Sequence, residues 1–306
     1  MKKITLVFGS IIIITIFIAS CQKETFISDE KPNLSAKQNR KIVVENFIGH
    51  LSTYSGGLSQ GADSLMNKVE NIIIINIHAG NSAIQNGNTY FSDYRTSVGN
   101  ELFEKFNRGW YPDRLTLINR IEKSALMTQG RIIFGADTIN YGTNTINNSV
   151  SQGFLGFLKN RIQKYPGSVN STNVFVKISN VYSSTKRSFS TTINTEFLTL
   201  SEGTYNLSVY ILEDSIKDWQ LMNGKDIPNF PMNHVLRDAL NKTWGDTIAK
   251  GTTVSGTRIE KSYTYTIPFS YQKTPCDPKN CSIVAFVYNA DTYEIIQAEE
   301  EIIIKP

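Results

Sequence analysis

The run Ile72 to Ile77 (IIIINI) is apolar at nearly every position, and it constrains the fold more than any other stretch of the chain. A strand that is apolar on both faces has to lie inside a sheet covered on both sides, the habit of parallel or mixed sheets in α/β folds. Upstream, Ile42, Val43, Val44, Phe47 and Ile48 read as another strand, and Leu58, Ala62, Leu65, Met66 and Val69 recur at helical spacing between the two. The order strand, helix, strand predicts a βαβ unit. Tyr94, Val98, Leu102, Phe103 and Phe106 mark a further amphipathic helix, and Leu115 to Ile118 a third strand with Arg131 to Phe134 as its expected hairpin partner. Phe154, Leu155, Leu158 and Ile162 predict a last helix, and Tyr165-Pro166-Gly167 then punctuates the chain as a domain boundary would.

Beyond residue 170 the period changes from helical to alternating. Val174, Val176 and Ile178, then Tyr205 to Ile211, Tyr263 to Phe269, Ile283 to Tyr288 and Glu294 to Ile304 all read as strands without intervening helices. Such a series predicts an antiparallel, immunoglobulin-like β-sandwich. One interruption, Ser215 to Gly245, is long and carries Trp219, His234 and Trp244; within it Asn233 to Leu240 reads as a short helix. Long segments of this kind are usually functional, which makes the two tryptophans candidate partner anchors and His234 a candidate contact. The expected organisation is an α/β domain over residues 41–168 and an all-β domain over 169–306.

The amino terminus is of another kind. Lys2 and Lys3 precede a mostly apolar run from Ile4 to Ile18, and Ile18-Ala19-Ser20-Cys21 resembles the lipobox of bacterial lipoprotein signals. Residues 1–20 therefore read as a cleaved signal, Cys21 as the lipidated first residue, and the polar stretch 21–40 as a flexible tether. The chain has 31 basic residues; without Lys2 and Lys3, 29 remain against 27 acidic ones, and no basic block suggests nucleic-acid binding. Once Cys21 is acylated, Cys276 and Cys281 are the remaining cysteines, and with no further soft ligands near them for a metal they read as a small-loop disulfide of an oxidising envelope, with two free thiols as the alternative.

The layout of the first half has that of the thioredoxin fold: a βαβ with a polar loop, then an aromatic-Pro pair and an antiparallel strand. More specifically, the chain resembles the outer-membrane-protein-twenty-eight-like lipoproteins of Bacteroidetes-type bacteria. The resemblance is carried by Val43-Val44-Glu45-Asn46-Phe47-Ile48-Gly49-His50, Ile75-Asn76-Ile77-His78-Ala79-Gly80, Asp93-Tyr94-Arg95-Thr96 and Ile118-Asn119-Arg120. In the second half Val209 to Asp214, Asn233 to Arg237 and Trp244-Gly245 carry it. It implies a thioredoxin-like domain followed by the sandwich, on a lipoprotein held at the outer membrane and facing periplasm or cell surface. Many members have Cys-x-x-Cys after the Gly-His, whereas this chain has Ser52 and Ser55 at those positions. A serine hydroxyl cannot form a disulfide, so the degenerate loop of Ser52, Ser55 and Pro112 is expected to be redox-inert, with the serines capping the helix that follows.

His50 and His78 follow strands expected to be parallel neighbours, which brings them with Tyr54 to the carboxyl edge of the sheet, where α/β folds bind ligands. Acyl transfer there would need an orienting carboxylate and an oxyanion hole, and two histidines are too few for zinc. The sequence thus predicts no enzyme, no cofactor and no metal. It predicts a lipid-anchored module that binds a protein, peptide or glycan, with an envelope thiol or peroxide enzyme and a structural accessory subunit as the competing readings.

Overall fold

The computed structural model describes residues 38–67, 70–107, 115–120 and 172–305, and the backbone of three strands between 125 and 140. Cys21, Pro112, the expected helix around Phe154 to Ile162 and the boundary at Tyr165-Pro166-Gly167 lie outside the described residues.

The first half begins β1 (Ile42–Ile48), α1 (Ser55–Met66), β2 (Ile72–His78), α2 (Ser97–Asn107) and β3 (Leu115–Ile118), then β4 (Ala125–Thr128), β5 (Arg131–Phe134) and β6 (Asp137–Asn140). Every residue of β1 and β2 is buried, as the two-sided apolar runs require. The two strands pair in parallel, Ile42 with Ile72 through Ile48 with His78. Tyr94, expected in the second helix, precedes it, since α2 opens at Ser97. β3 runs antiparallel to β1 and pairs with β4, and β4 pairs with β5. Arg131 to Phe134 is therefore one strand further out than expected.

The second half supplies β7 (Val174–Ser183), β8 (Ser188–Phe197), β9 (Thr204–Glu213), β10 (Ile216–Met222), β11 (Lys225–Met232), β12 (Val235–Ala239) and β13 (Asp246–Lys250). It ends with β14 (Arg258–Thr266), the short β15 (Ser270–Tyr271) and β16 (Thr274–Pro275), β17 (Cys281–Asn289) and β18 (Ile295–Ile302). A sheet ordered β14-β8-β7 faces the β9, β17, β18 part of the large sheet, and Val176, Ile193, Leu207, Ile211, Ile283 and Ala285 fill the space between. This is the sandwich that the alternating pattern predicts.

The sheet does not stop between the halves. Its order is β18-β17-β9-β12-β2-β1-β3-β4-β5-β6, so strands of both halves share one sheet, and residues 35–306 fall in one compact unit. The seam is narrow: β12 meets β2 only at Val235 and Asn76. A buried polar row crosses it. Thr116 donates to Asn46 at 2.9 Å, Asn46 to Asn76 at 3.1 Å, and the Asn76 side chain to the Asn233 carbonyl at 2.8 Å. Buried amides need partners, so this row fixes the register of β3, β1 and β2 and ties them to the residue two before β12. On the opposite face Arg120 makes a two-pronged pair with Glu45 at 2.8 and 2.6 Å, both side chains fully buried.

Two expectations for residues 215–245 give way here. The stretch is not an open loop: β10 and β11 form a hairpin with Met222 opposite Lys225. Between them Asn223 (φ 53°) and Gly224 (φ 74°) adopt the paired left-handed backbone of a two-residue hairpin turn. Nor is Asn233 to Leu240 helical. Its apolar residues are drawn into β12, because pairing with both β9 and β2 satisfies more backbone than one isolated helical turn could.

Candidate functional site

The β10–β11 hairpin lies over the carboxyl edge of β1 and β2, where the serine-substituted loop sits. Leu221 N–H donates to the His50 carbonyl at 2.8 Å. The Gln220 side-chain amide, 2% exposed, reaches the carbonyls of Ser52 at 3.1 Å and His50 at 3.2 Å. Met222 and Gln220 press against Gly56, where an added Cβ would come within 3.0 Å of the Met222 sulfur. Asp218 and Asp226 accept hydrogen bonds from the hydroxyls of Tyr94 (2.7 Å) and Tyr90 (2.5 Å), which pin the outer flank of the hairpin. Burial first, and these carboxylates second, push both phenol pKa values up.

Ser52 and Ser55 are buried beneath this cover and do not cap α1. The N-cap residue is Tyr54, without a side-chain cap bond. Ser55 Oγ instead accepts from Gly49 N–H at 3.0 Å, and Ser52 Oγ from Tyr54 N–H at 3.4 Å. Gly49 itself is required by crowding, since a Cβ there would lie 2.3 Å from the Ser82 backbone.

His50 and His78 do meet, as the parallel register predicts. Their ring centroids are 6.4 Å apart, His50 stacks on Tyr90 at 5.2 Å, and His78 lies 5.1 Å from the Tyr94 ring. His50 Nε2 is 2.9 Å from the Ile84 carbonyl, which leaves Nδ1 as the lone-pair nitrogen. Neither ring nitrogen of His78 has a hydrogen-bond partner among the described residues. Burial drives the His78 pKa down to about 3, aided by His50 and Arg237, and burial also lowers His50 against the pull of the Ile84 carbonyl. Both rings are neutral at ordinary pH. Among the described residues no carboxylate hydrogen-bonds to either imidazole, and both rings are buried.

His234 is a joint. It sits at φ 57° directly after the hairpin, with Nε2 3.4 Å from Asp63 and Nδ1 3.3 Å from Asp214. Its carbonyl accepts from Asn76 N–H at 2.8 Å, and its own N–H donates to Asp214 at 2.5 Å. Burial alone would lower its pKa; Asp63 and Asp214 more than reverse this and leave it raised.

The two tryptophans part company. Trp219 is half-buried on β10. Trp244 packs against Phe106 at 6.3 Å and Tyr293 at 5.5 Å at the edge of the core, while one side borders a cleft of about 450 Å³ with Glu101, Asp238 and Lys242. Gly245 after it is fixed by φ 66° and by the Leu207 carbonyl, 2.0 Å from where a Cβ would stand. Cys276 and Cys281 are buried free thiols with sulfurs 3.6 Å apart, and Cys281 Sγ contacts the Asp277 carbonyl at 3.4 Å. The hydrogen-bonded neighbour Cys276 and burial push the Cys281 thiol far up, which disfavours its thiolate form. Among the described residues no group of three or more His, Cys, Asp or Glu could hold a metal ion.

Sequence reasoning missed the hairpin as a cover. Asn223-Gly224 between two alternating segments was the signal for it. Nothing in the sequence marks Gln220.

No curated protein matches the chain. Among solved structures it is similar to a domain of the outer membrane lipoprotein Omp28 from Porphyromonas gingivalis, at 21% identity and a TM-score of 0.30, covering 42% of this chain and 86% of that one. It is also similar to a protein of Agrobacterium tumefaciens, at 13% identity and a TM-score of 0.44, covering 89% of this chain and 98% of that one. The model of the family Outer membrane protein Omp28 matches residues 143–305, a span that takes in the hairpin, His234, Trp244 and both buried thiols but not His50 or His78. That span is more than half of the sequence, and the chain belongs to the Omp28 family.

Proposed function

We propose that this is an outer-membrane lipoprotein, anchored through Cys21, whose amino-terminal half is a thioredoxin-like scaffold without redox chemistry and whose role is to bind or assemble with a protein, peptide or glycan at the envelope. Family membership supports the location. The strand order β2-β1-β3-β4, with the first pair parallel and the next two pairings antiparallel, supports the thioredoxin-like reading. The observation that carries the non-enzymatic reading is the cover. The loop that would hold redox cysteines has serines, and Gln220 and Leu221 occupy its carbonyls, so a substrate disulfide has neither a thiolate to meet nor a surface to approach.

Mature protein should show no insulin-reducing or thiol-peroxidase activity; turnover that survives Cys276→Ser would overturn the reading. Affinity capture from native membranes, with Trp219→Ala and Trp244→Ala as probes of the second half, distinguishes a free binding module from a fixed subunit of a larger complex. Cys21→Ser should abolish acyl labelling, and labelling that persists would remove the anchor from the proposal.

A further inference from the structure

We propose that His50 and His78 form a two-imidazole site for a soft monovalent cation of the Cu⁺ or Ag⁺ kind, closed over by the β10–β11 hairpin. The starting point is His78. It is 2% exposed and both ring nitrogens lack a hydrogen-bond partner among the described residues, while the polar row through Asn46 and Asn76 in the same strands is bonded throughout. A buried imidazole with both of its nitrogens left so calls for an occupant. His50 supplies the complementary donor. Its Nε2 held at the Ile84 carbonyl is the outer-shell arrangement that orients a ligating imidazole through its other nitrogen.

The separation fits. A ring nitrogen lies about 1 Å from the imidazole centre and nitrogen–metal bonds are about 2 Å, so two rings sharing one ion in line have centres about 6 Å apart. The observed distance is 6.4 Å. Donor number then selects the ion: zinc takes four ligands, and no cluster of three or more candidate donors exists among the described residues, whereas a d¹⁰ monovalent ion is content with two in line. Both imidazoles are already neutral, so binding displaces no proton. The charges facing the rings are Asp93 and Asp218 on one side and Arg95 and Arg237 on the other. Arg95 is neutralised by Asp93 at 2.7 Å, and Arg237 lies 3.2 Å from Glu213.

The chain has three histidines, which makes the test clean. Protein labelled with ¹⁵N-histidine is titrated with Ag⁺, and the ring nitrogens are followed by nuclear magnetic resonance, which reads this site separately from any ion on Cys276 and Cys281. The expected result is a coupled shift of His50 and His78 that saturates together, no shift of His234, and no response of the pair to Zn²⁺. His78→Leu should weaken the His50 response by roughly 100-fold or more. If that variant does not fold, His50→Gln, which can still donate to Ile84, should remove the His78 response in the same way. Rings that stay unshifted in saturating Ag⁺, the behaviour of an imidazole that holds water only, would overturn the proposal, as would a His50 response that survives His78→Leu.

Discussion

His78 lies beneath the β10–β11 hairpin and His234 at its base, and burial presses both toward the neutral form, yet the outcomes are opposite. His78 faces aromatic rings, His50 and Arg237, and its pKa falls to about 3. His234 has a carboxylate within 3.4 Å of each ring nitrogen, and its pKa rises. Desolvation sets the size of the stakes; a carboxylate in contact decides the sign. One end of the hairpin is thus closed over a neutral polar chamber, and the other is fastened by a charge.

The largest expected effect comes from the chamber. His78 is neutral when folded and protonates near 6.5 when unfolded, so between about pH 6.5 and pH 3 the unfolded state binds the extra proton. The His78 contribution is fully present above 6.5 and is lost as pH falls. At about pH 4.5 it should destabilise the metal-free protein by about 2 to 3 kcal/mol relative to neutral pH. His78→Leu removes that slope. Urea unfolding of both proteins at a series of pH values measures it, and parallel acid limbs would show that the ring is not held neutral and would end the contrast with His234.

Next in size is the seal. Gln220→Ala removes the side-chain amide that ties the carbonyls of His50 and Ser52 to the hairpin, while each keeps one backbone donor, Leu221 N–H and Ser55 N–H, so the cost should be about 0.5 to 1.5 kcal/mol. Hydrogen exchange should rise at Leu221, whose N–H is bonded to His50, and stay unchanged at Asn76, whose N–H is bonded to His234. Equal loosening at both places would mean that chamber and joint open as one unit, and that the two ends cannot be treated separately.

What was legible in the sequence follows the strength of the physical signal. Ile72 to Ile77 announced a central strand because only a doubly covered position tolerates it, and the meeting of His50 with His78 followed from parallel pairing alone. The alternating runs after residue 170 announced the sandwich. Val235 to Ala239 was misread as helical because five residues carry too little periodicity to separate a strand from a helical turn, and its partners Glu213 and Asn76 are remote in sequence. Ser52 and Ser55 were misread as caps because a serine before a helix has the same appearance whether it bonds to the helix or, as Ser55 does, back to Gly49. The seam joining the halves through Asn46, Asn76 and Asn233 has no local signature at all.

The smallest effect belongs to the joint, and its sign is the sharpest test of the comparison. The raised pKa of His234 means that its contribution is fully present below about 6.5 and is lost as pH rises through the folded value, the reverse of His78. Asn is the replacement of choice, because at φ 57° it tolerates the left-handed backbone better than other side chains. His234→Asn removes the charge that Asp63 and Asp214 share. With Asp214 41% exposed, solvent screening should hold the loss to about 1 kcal/mol or less at about pH 6. That loss should shrink further as pH rises through the folded pKa and the wild-type ring itself becomes neutral. Denaturation midpoints of the two proteins should therefore converge as pH rises. Midpoints that diverge instead would place His234 with His78, as a histidine whose burial its neighbours fail to offset.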